Sequence, residues 1–299
     1  MGAIDAFTRT FSLILKNKRL YILTLIMALI LAPIASYLIS NEIGTLPVFN
    51  QTYTQNNTVG GVIIEEHGAT VGEDTGAILE LLKRLAIYGI IALVISSIFE
   101  YAVTKGLLIE SEEKVSLGQL MIEGLKHFPG VIVINIVYGL LVLVFIGISA
   151  IPIAIGALTL PAGAVLIFIG LLLLIFVAAF VIGLSSLAIP AYVKNGSIGG
   201  AFEGIGLAFR NVLSSAGFGF LLMVGVFAIS IASSPITFVV HYTVSGDIAA
   251  YVSAFLQAPF DALMSLFLWA GGVAFYTELK KKEELKKVDE ELAELGIEI

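Results

Sequence analysis

The sequence predicts an all-α fold, a polytopic membrane helical bundle of six transmembrane helices with both termini in the cytoplasm, and three observations carry that expectation. Hydrophobic residues make up 58% of the 299-residue chain and charged residues only 13%, with a mean hydropathy of +1.02. A soluble domain carries about 25% charged residues, so part of this surface must face lipid, where only helices and closed barrels satisfy their backbone groups. The apolar runs are continuous rather than alternating, which selects helices over a barrel. Finally, of the 16 Lys and Arg residues, all but Lys83 and Arg84 fall in segments that a six-span chain places on one side, and that side is then cytoplasmic.

The elements follow in order. Residues 20–40 form the first span, preceded by Arg9, Lys16, Lys18 and Arg19 and carrying Pro33, a kink position. Basic residues before an apolar run resemble a secretory leader, yet the run is read as a retained span. Residues 41–76 are polar and acidic, hold no Lys or Arg, and contain the sequons at Asn50 and Asn56, as expected of an extracytoplasmic loop. Residues 59–71 have the β-branched content of a small hairpin.

The second span covers residues 78–104, with Lys83 and Arg84 at its outer end and Glu100 near its inner end. Between His127 and Lys194 no Asp, Glu, Lys or Arg occurs, a length that suits two helices. The loop composition of residues 156–163 divides them into spans at 129–155 and 164–192. Spans five and six are expected at 212–239 and 249–276, so residues 1–280 form the membrane domain and residues 281–299 a charged cytoplasmic tail.

The chain also reads as three hairpin repeats, each introduced by an amphipathic segment suited to the inner interface. Ile4, Phe7 and Phe11 form the first helical stripe, Leu117, Leu120, Met121 and Phe128 the second, and Phe202, Ile205 and Phe209 the third. The repeats exit on Tyr101 with Lys105, Tyr192 with Lys194 and Tyr276 with Lys280, the pairing expected of tyrosine at headgroup level.

Chemistry-bearing residues are few. Asp261, inside span six beside Pro259 and Gln257, is a candidate ion or ligand position, because a carboxylate at membrane depth is costly and faces a bundle interior or water. Glu100 is a second candidate, expected to pair with Lys105 or reach the interface. Asn135 and Tyr138 are expected to bridge helices, and Gly217, Gly219, Gly271 and Gly272 to mark close packing. Glu65, Glu66, His67, Glu73 and Asp74 lack calcium-loop spacing and read as a solvated loop. Lys280, Lys281 and Lys282 are placed to contact anionic headgroups, and Leu285, Val288, Leu292 and Leu295 give the tail a stripe for a partner protein. No metal, cofactor or nucleic-acid site is expected, and the chain has no cysteine.

Residues Ala188-Ile189-Pro190-Ala191-Tyr192-Val193-Lys194-Asn195-Gly196, then Gly200-Ala201-Phe202-Glu203-Gly204-Ile205-Gly206-Leu207-Ala208-Phe209-Arg210-Asn211, resemble the membrane domain found in some glycerophosphoryl diester phosphodiesterases and in related bacterial and archaeal six-span proteins. Ala274-Phe275-Tyr276-Thr277-Glu278-Leu279-Lys280 is similar to the same family. The resemblance covers most of residues 1–280 and implies a six-span membrane domain. In those enzymes the phosphodiesterase chemistry belongs to a separate soluble domain, so it implies no hydrolase activity for these residues.

The leading expectation is therefore a non-enzymatic membrane protein of a prokaryotic cell membrane, a scaffold or accessory in membrane, lipid or envelope homeostasis. An ion or small-solute transporter using Asp261 is the first alternative, and an intramembrane lipid-modifying enzyme the second. The Lys- and Glu-rich tail and the lack of cysteine point toward a thermophilic, archaeal source.

Overall fold

A computed structural model describes residues 2–40, 75–109, 115–244 and 248–294. The sequons at Asn50 and Asn56, the expected hairpin and the acidic residues from Glu65 to Asp74 lie outside the described residues. Every regular element among the described residues is helical: α1 (Gly2–Lys16), α2 (Leu20–Ala35) with a π-turn at Ser36–Ser40, α3 (Thr75–Leu108), α4 (Leu117–Leu158), α5 (Ala164–Ser185), α6 (Ala188–Asn195), α7 (Ile198–Ala201), α8 (Glu203–Arg210), α9 (Val212–Thr243) and α10 (Ile248–Glu294). Six segments are long and apolar enough to cross a membrane: Leu20–Leu38, Leu79–Leu108, Leu117–Leu158, Ala164–Asn195, Val212–Val240 and Ile248–Val288.

Local sequence explains most boundaries. Ser116 opens α4 with a capping box: its hydroxyl accepts from the Gln119 amide at 3.2 Å, and the Gln119 side chain accepts from the Ser116 N–H at 3.1 Å. Ser197 opens α7 by accepting from the Gly200 N–H at 3.1 Å. Gly196 closes α6 in the left-handed conformation at φ 67°, which a residue without Cβ adopts freely. At the end of α1, the Asn17 side chain donates to the Leu13 carbonyl at 3.0 Å. At the end of α8, Asn211 donates to the Leu207 carbonyl at 3.0 Å.

Two expectations need correction. The amphipathic segment of the second repeat is not a separate helix but runs straight through Pro129 into the span as one 42-residue α4. Where the other two segments end on Asn, this one has His127, whose Nδ1 meets the Glu123 carbonyl at 3.0 Å within an unbroken helix. Span four is not a single helix. It breaks between α5 and α6 at Ser186 and Leu187, because Pro190 has no N–H to offer the Ser186 carbonyl four residues back. The charged tail is helical as well: α10 continues from span six to Glu294 through a Lys- and Glu-rich stretch of strong helix formers with neither Gly nor Pro.

The chain divides into two compact units. The first comprises residues 1–27, 94–233 and 259–299, and the second residues 28–93 and 234–258. In the first unit Phe218 of α9 and Phe275 of α10 stack at 4.3 Å, both fully buried, amid a core that includes Ile134, Tyr138, Leu184 and Leu187. Glycines let helix backbones meet. A Cβ on Gly219 would strike the Ala179 carbonyl, and one on Gly183 would strike the Ser215 carbonyl, so α5 and α9 are held at backbone contact. A Cβ on Gly272 would strike the Ser186 carbonyl, the one that Pro190 leaves without its helical donor. Gly271 faces the Leu222 side chain, whereas Gly217 has only a loose contact with Ala3.

In the second unit the Ser36 hydroxyl donates to the Ala250 carbonyl at 3.3 Å, and Glu80 pairs with Lys83 at 3.5 Å and Arg84 at 3.3 Å along one face of α3. The outward surface of the spans is apolar: Phe168 and Leu143 are 63% and 66% exposed. Water does not favour large side chains in that setting, and a hydrocarbon solvent does.

Candidate functional site

The break between α5 and α6 shapes the most distinctive place in the first unit. A cavity of about 660 Å³ lies among α3, α4, α5, α6, α9 and α10. Ligand cavities fall at about 300–1,000 Å³ and combine apolar walls with few polar groups. The walls here are Val142, Val181, Ile182, Ile189, Leu222, Met223, Val226, Phe227 and Leu268, with Trp269, the one tryptophan of the chain. The polar groups are the Glu100 carboxyl, the Asn135 amide and the hydroxyls of Thr104, Ser185, Ser186 and Ser230.

Glu100 on α3 and Asn135 on α4 form the centre of this polar set: the Asn135 Nδ2 donates to the Glu100 Oε2 at 2.9 Å. Ser186 and Ser230 turn their hydroxyls back onto the carbonyls of Gly183 and Val226, at 2.8 and 2.9 Å. The Ser185 Oγ is buried and makes no hydrogen bond among the described residues. The expected pairing of Glu100 with Lys105 does not occur. Lys105 instead pairs with Glu123 of α4 at 2.7 Å, and Glu123 also holds Lys126 at 3.3 Å. Lys105 lies five residues after Glu100, more than one helical turn, so their side chains leave α3 on different faces and meet different neighbours.

The other sequence candidates have less company. Asp261 is exposed on α10 and does not line the cavity; the backbone carbonyl of Asp261 accepts from the Ser265 hydroxyl at 2.9 Å. Gln257 belongs to the second unit, where its amide donates to Thr237 at 2.5 Å and Ser253 at 2.9 Å as a helix-bridging group. Asn135 and Tyr138 do bridge helices, the latter donating to the Ala201 carbonyl at 2.7 Å. No group of three or more His, Cys, Asp or Glu with metal-holding geometry occurs among the described residues.

The tyrosines expected at the ends of the hairpins face inward. Tyr101, Tyr192 and Tyr276 are all buried. Tyr101 stacks on His127 at 4.5 Å and meets Tyr192 edge-on at 5.7 Å. Tyr101 and Tyr192 thus pack on each other and beside His127 of α4.

A second polar constellation joins α10 to the amphipathic helices. Arg9 of α1 pairs with Glu278 at 3.0 Å, Arg210 of α8 with Glu283 at 2.6 Å, and Lys280 with Glu203 of α8. Asn195 also donates to Glu203, at 2.7 Å, and Lys282 to Asn211 at 3.1 Å, whereas Lys281 is exposed. Burial pushes the Glu203 carboxyl up, but the hydrogen bonds from Lys280 and Asn195 and the Lys280 charge together hold it below its ordinary 4.5.

Glu100 was visible in the sequence as a carboxylate inside an apolar run, and Asn135 as an amide in another. Nothing in the sequence joined them, or attached Ser185 and Trp269 to the same space. No protein-family model, curated protein or solved structure matches the chain.

Proposed function

We propose that this chain is a non-enzymatic, multi-pass protein of a prokaryotic cell membrane that holds a hydrophobic chain in its cavity, as an accessory of membrane lipid homeostasis. The observation that carries the reading is the cavity itself: about 660 Å³, walled mostly by aliphatic and aromatic side chains, with one carboxylate, that of Glu100, and few other polar groups in its lining. Such a space suits an acyl or other long apolar chain, and a polar solute would find few partners there.

The membrane setting rests on the six long apolar segments and on the distribution of basic residues, which favours both termini inside. The amphipathic helices fit an interfacial placement. Ile4, Phe11 and Leu15 of α1 and Phe209 of α8 are exposed, while the small Ala6, Thr10, Gly204 and Ala208 are buried. Helices that hide small residues and expose large apolar ones are made for the headgroup boundary. A threefold hairpin repeat is supported by a shared feature at each amphipathic end: Asn17, His127 and Asn211 each engage the carbonyl four residues earlier. The lysines at 280–282 and the exposed Leu285 and Val288 then meet headgroups or a cytoplasmic partner.

The single tryptophan makes the reading testable. In nanodiscs, a spin-labelled long-chain alcohol should quench Trp269 saturably, and Val226→Phe, which fills the cavity, should abolish the saturable component. Quenching that rises linearly and identically in both proteins would remove the chain-binding reading. Because the protein has no cysteine, Lys281→Cys in inside-out and right-side-out vesicles reports the side on which the tail lies.

A cation or small-solute pathway is the second reading, favoured by the position of Glu100 on the cavity wall. It predicts proton or cation flux in sealed liposomes that Glu100→Gln removes and Asp261→Asn does not.

A further inference from the structure

The geometry points to a specific ligand class for the cavity: an amphiphile whose head is a cation, seated with that head on Glu100 and its chain along the apolar walls. This rests on the chain-binding reading above and adds to it the identity of the head.

The argument begins with what surrounds the carboxylate. Glu100 lines the cavity together with Asn135, and the Asn135 amide donates to only one of its oxygens, Oε2, at 2.9 Å. An ionised carboxylate accepts at about four lone-pair positions, so most of its capacity faces the space beside it. None of the residues lining the cavity is Lys, Arg or His. The cation nearest in sequence, Lys105, is committed to Glu123 at 2.7 Å. Removal from water is costly for an unpaired carboxylate, and a cation brought by the ligand offsets that cost.

The rest of the lining excludes other heads. A phosphate or carboxylate placed here would meet Glu100 as a like charge and find no basic side chain to hold it. A neutral alcohol finds hydroxyls and a carboxylate, but gains less than a charged donor, because only the cation adds charge–charge attraction to its hydrogen bond with the carboxylate. Ser185 adds an acceptor to the lining, since its buried hydroxyl is unbonded among the described residues. The walls formed by Val142, Leu222, Phe227 and Leu268 supply the apolar length that the chain requires.

Protonated amines arise both as free cationic amphiphiles and as the headgroups of aminophospholipids. The free amphiphile suits the lining better, because the phosphate of a lipid would have to remain outside the cavity.

The test compares spin-labelled chains of equal length bearing an ammonium, an alcohol or a sulfate head, in nanodiscs of zwitterionic lipid, with Trp269 fluorescence as the readout. In the wild type the ammonium chain should reach half-saturation at a concentration at least about tenfold below that of the alcohol, with the sulfate weakest. Glu100→Gln should bring ammonium and alcohol together, whereas Asp261→Asn should keep the wild-type order. A spin-labelled aminophospholipid run in parallel identifies the source: a Glu100-dependent preference for it assigns a lipid headgroup, and a preference confined to the alkylammonium assigns a free amphiphile. Equal half-saturation of ammonium and alcohol in the wild type overturns the inference, even if Glu100→Gln fails to fold, and so does a preference that survives in Glu100→Gln. Saturable binding of the alcohol in those cases leaves the chain-binding reading standing; its loss would remove that reading separately.

Discussion

Glu100 and Asp261 are both carboxylates inside long apolar helices, yet their surroundings in the first unit differ in kind. Glu100 receives an amide from a neighbouring helix and borders a cavity, while Asp261 is exposed on α10. The difference lies in the direction of each side chain, because the face of the helix on which a carboxylate falls decides whether it meets a partner helix or the surrounding solvent. An exposed carboxylate on a membrane helix relaxes toward the interface or toward another molecule; an enclosed one must be compensated in place. Position along a span therefore states depth, and only packing states company.

The largest effect should come from breaking the backbone contact between α5 and α9 in the first unit, which holds Glu100. Gly219→Val drives a side chain into the Ala179 carbonyl, a backbone group that cannot swing aside. We expect a loss of about 3 kcal/mol or failure to fold, against little change for Gly139→Val, which meets nothing within 4 Å. Thermal unfolding in detergent separates the two, and equal melting temperatures would show that α5 and α9 are not locked at backbone contact.

A smaller effect should follow from stripping Glu100 of its partner. Asn135→Leu leaves the carboxylate without its amide and should cost about 1–3 kcal/mol, whereas Asp261→Asn should stay within about 0.5 kcal/mol. A double-mutant cycle with Glu100→Gln isolates the pair. Equal costs at the two sites would erase the distinction drawn between them.

The smallest effect belongs to a charge held in the open. Glu203 has its carboxyl held below 4.5, so the stabilisation from Lys280 and Asn195 is complete above that pH and fades as pH falls through the lowered value. Both partners in the ion pair are about one-third exposed, which limits the contribution to about 1 kcal/mol or less. The melting-temperature difference between wild type and Glu203→Gln should therefore be present at neutral pH and vanish in strong acid. A difference that grows on acidification contradicts the assigned direction.

The fold was legible where local chemistry sufficed. Six apolar runs are visible by length alone, and the break near residues 156–163 follows from its loop composition. The helix starts at Ser116 and Ser197 come from side chains that satisfy backbone donors within three residues. Legibility ended where the outcome depended on a second helix. The Pro190 signal was present, yet a proline in a span either kinks or divides it, and here Gly272 packs against the carbonyl exposed by the division. The tyrosines expected at the hairpin ends carry an interface signature, but nothing in the sequence set Tyr101 and Tyr192 against each other and beside His127.

What the sequence determined by itself is the solvent and the elements. The scarcity of charge demands lipid, lipid demands helices, and capping residues and prolines mark where those helices start and bend. What only the tertiary structure decided is which polar groups share a space. Glu100, Asn135, Ser185 and Trp269 come from four different helices, and a cavity among them exists only once glycine-lined backbones have packed and the α5–α6 break has turned the chain. Local propensity acts over a few residues, while the company of a carboxylate is set by helices that meet from far along the chain.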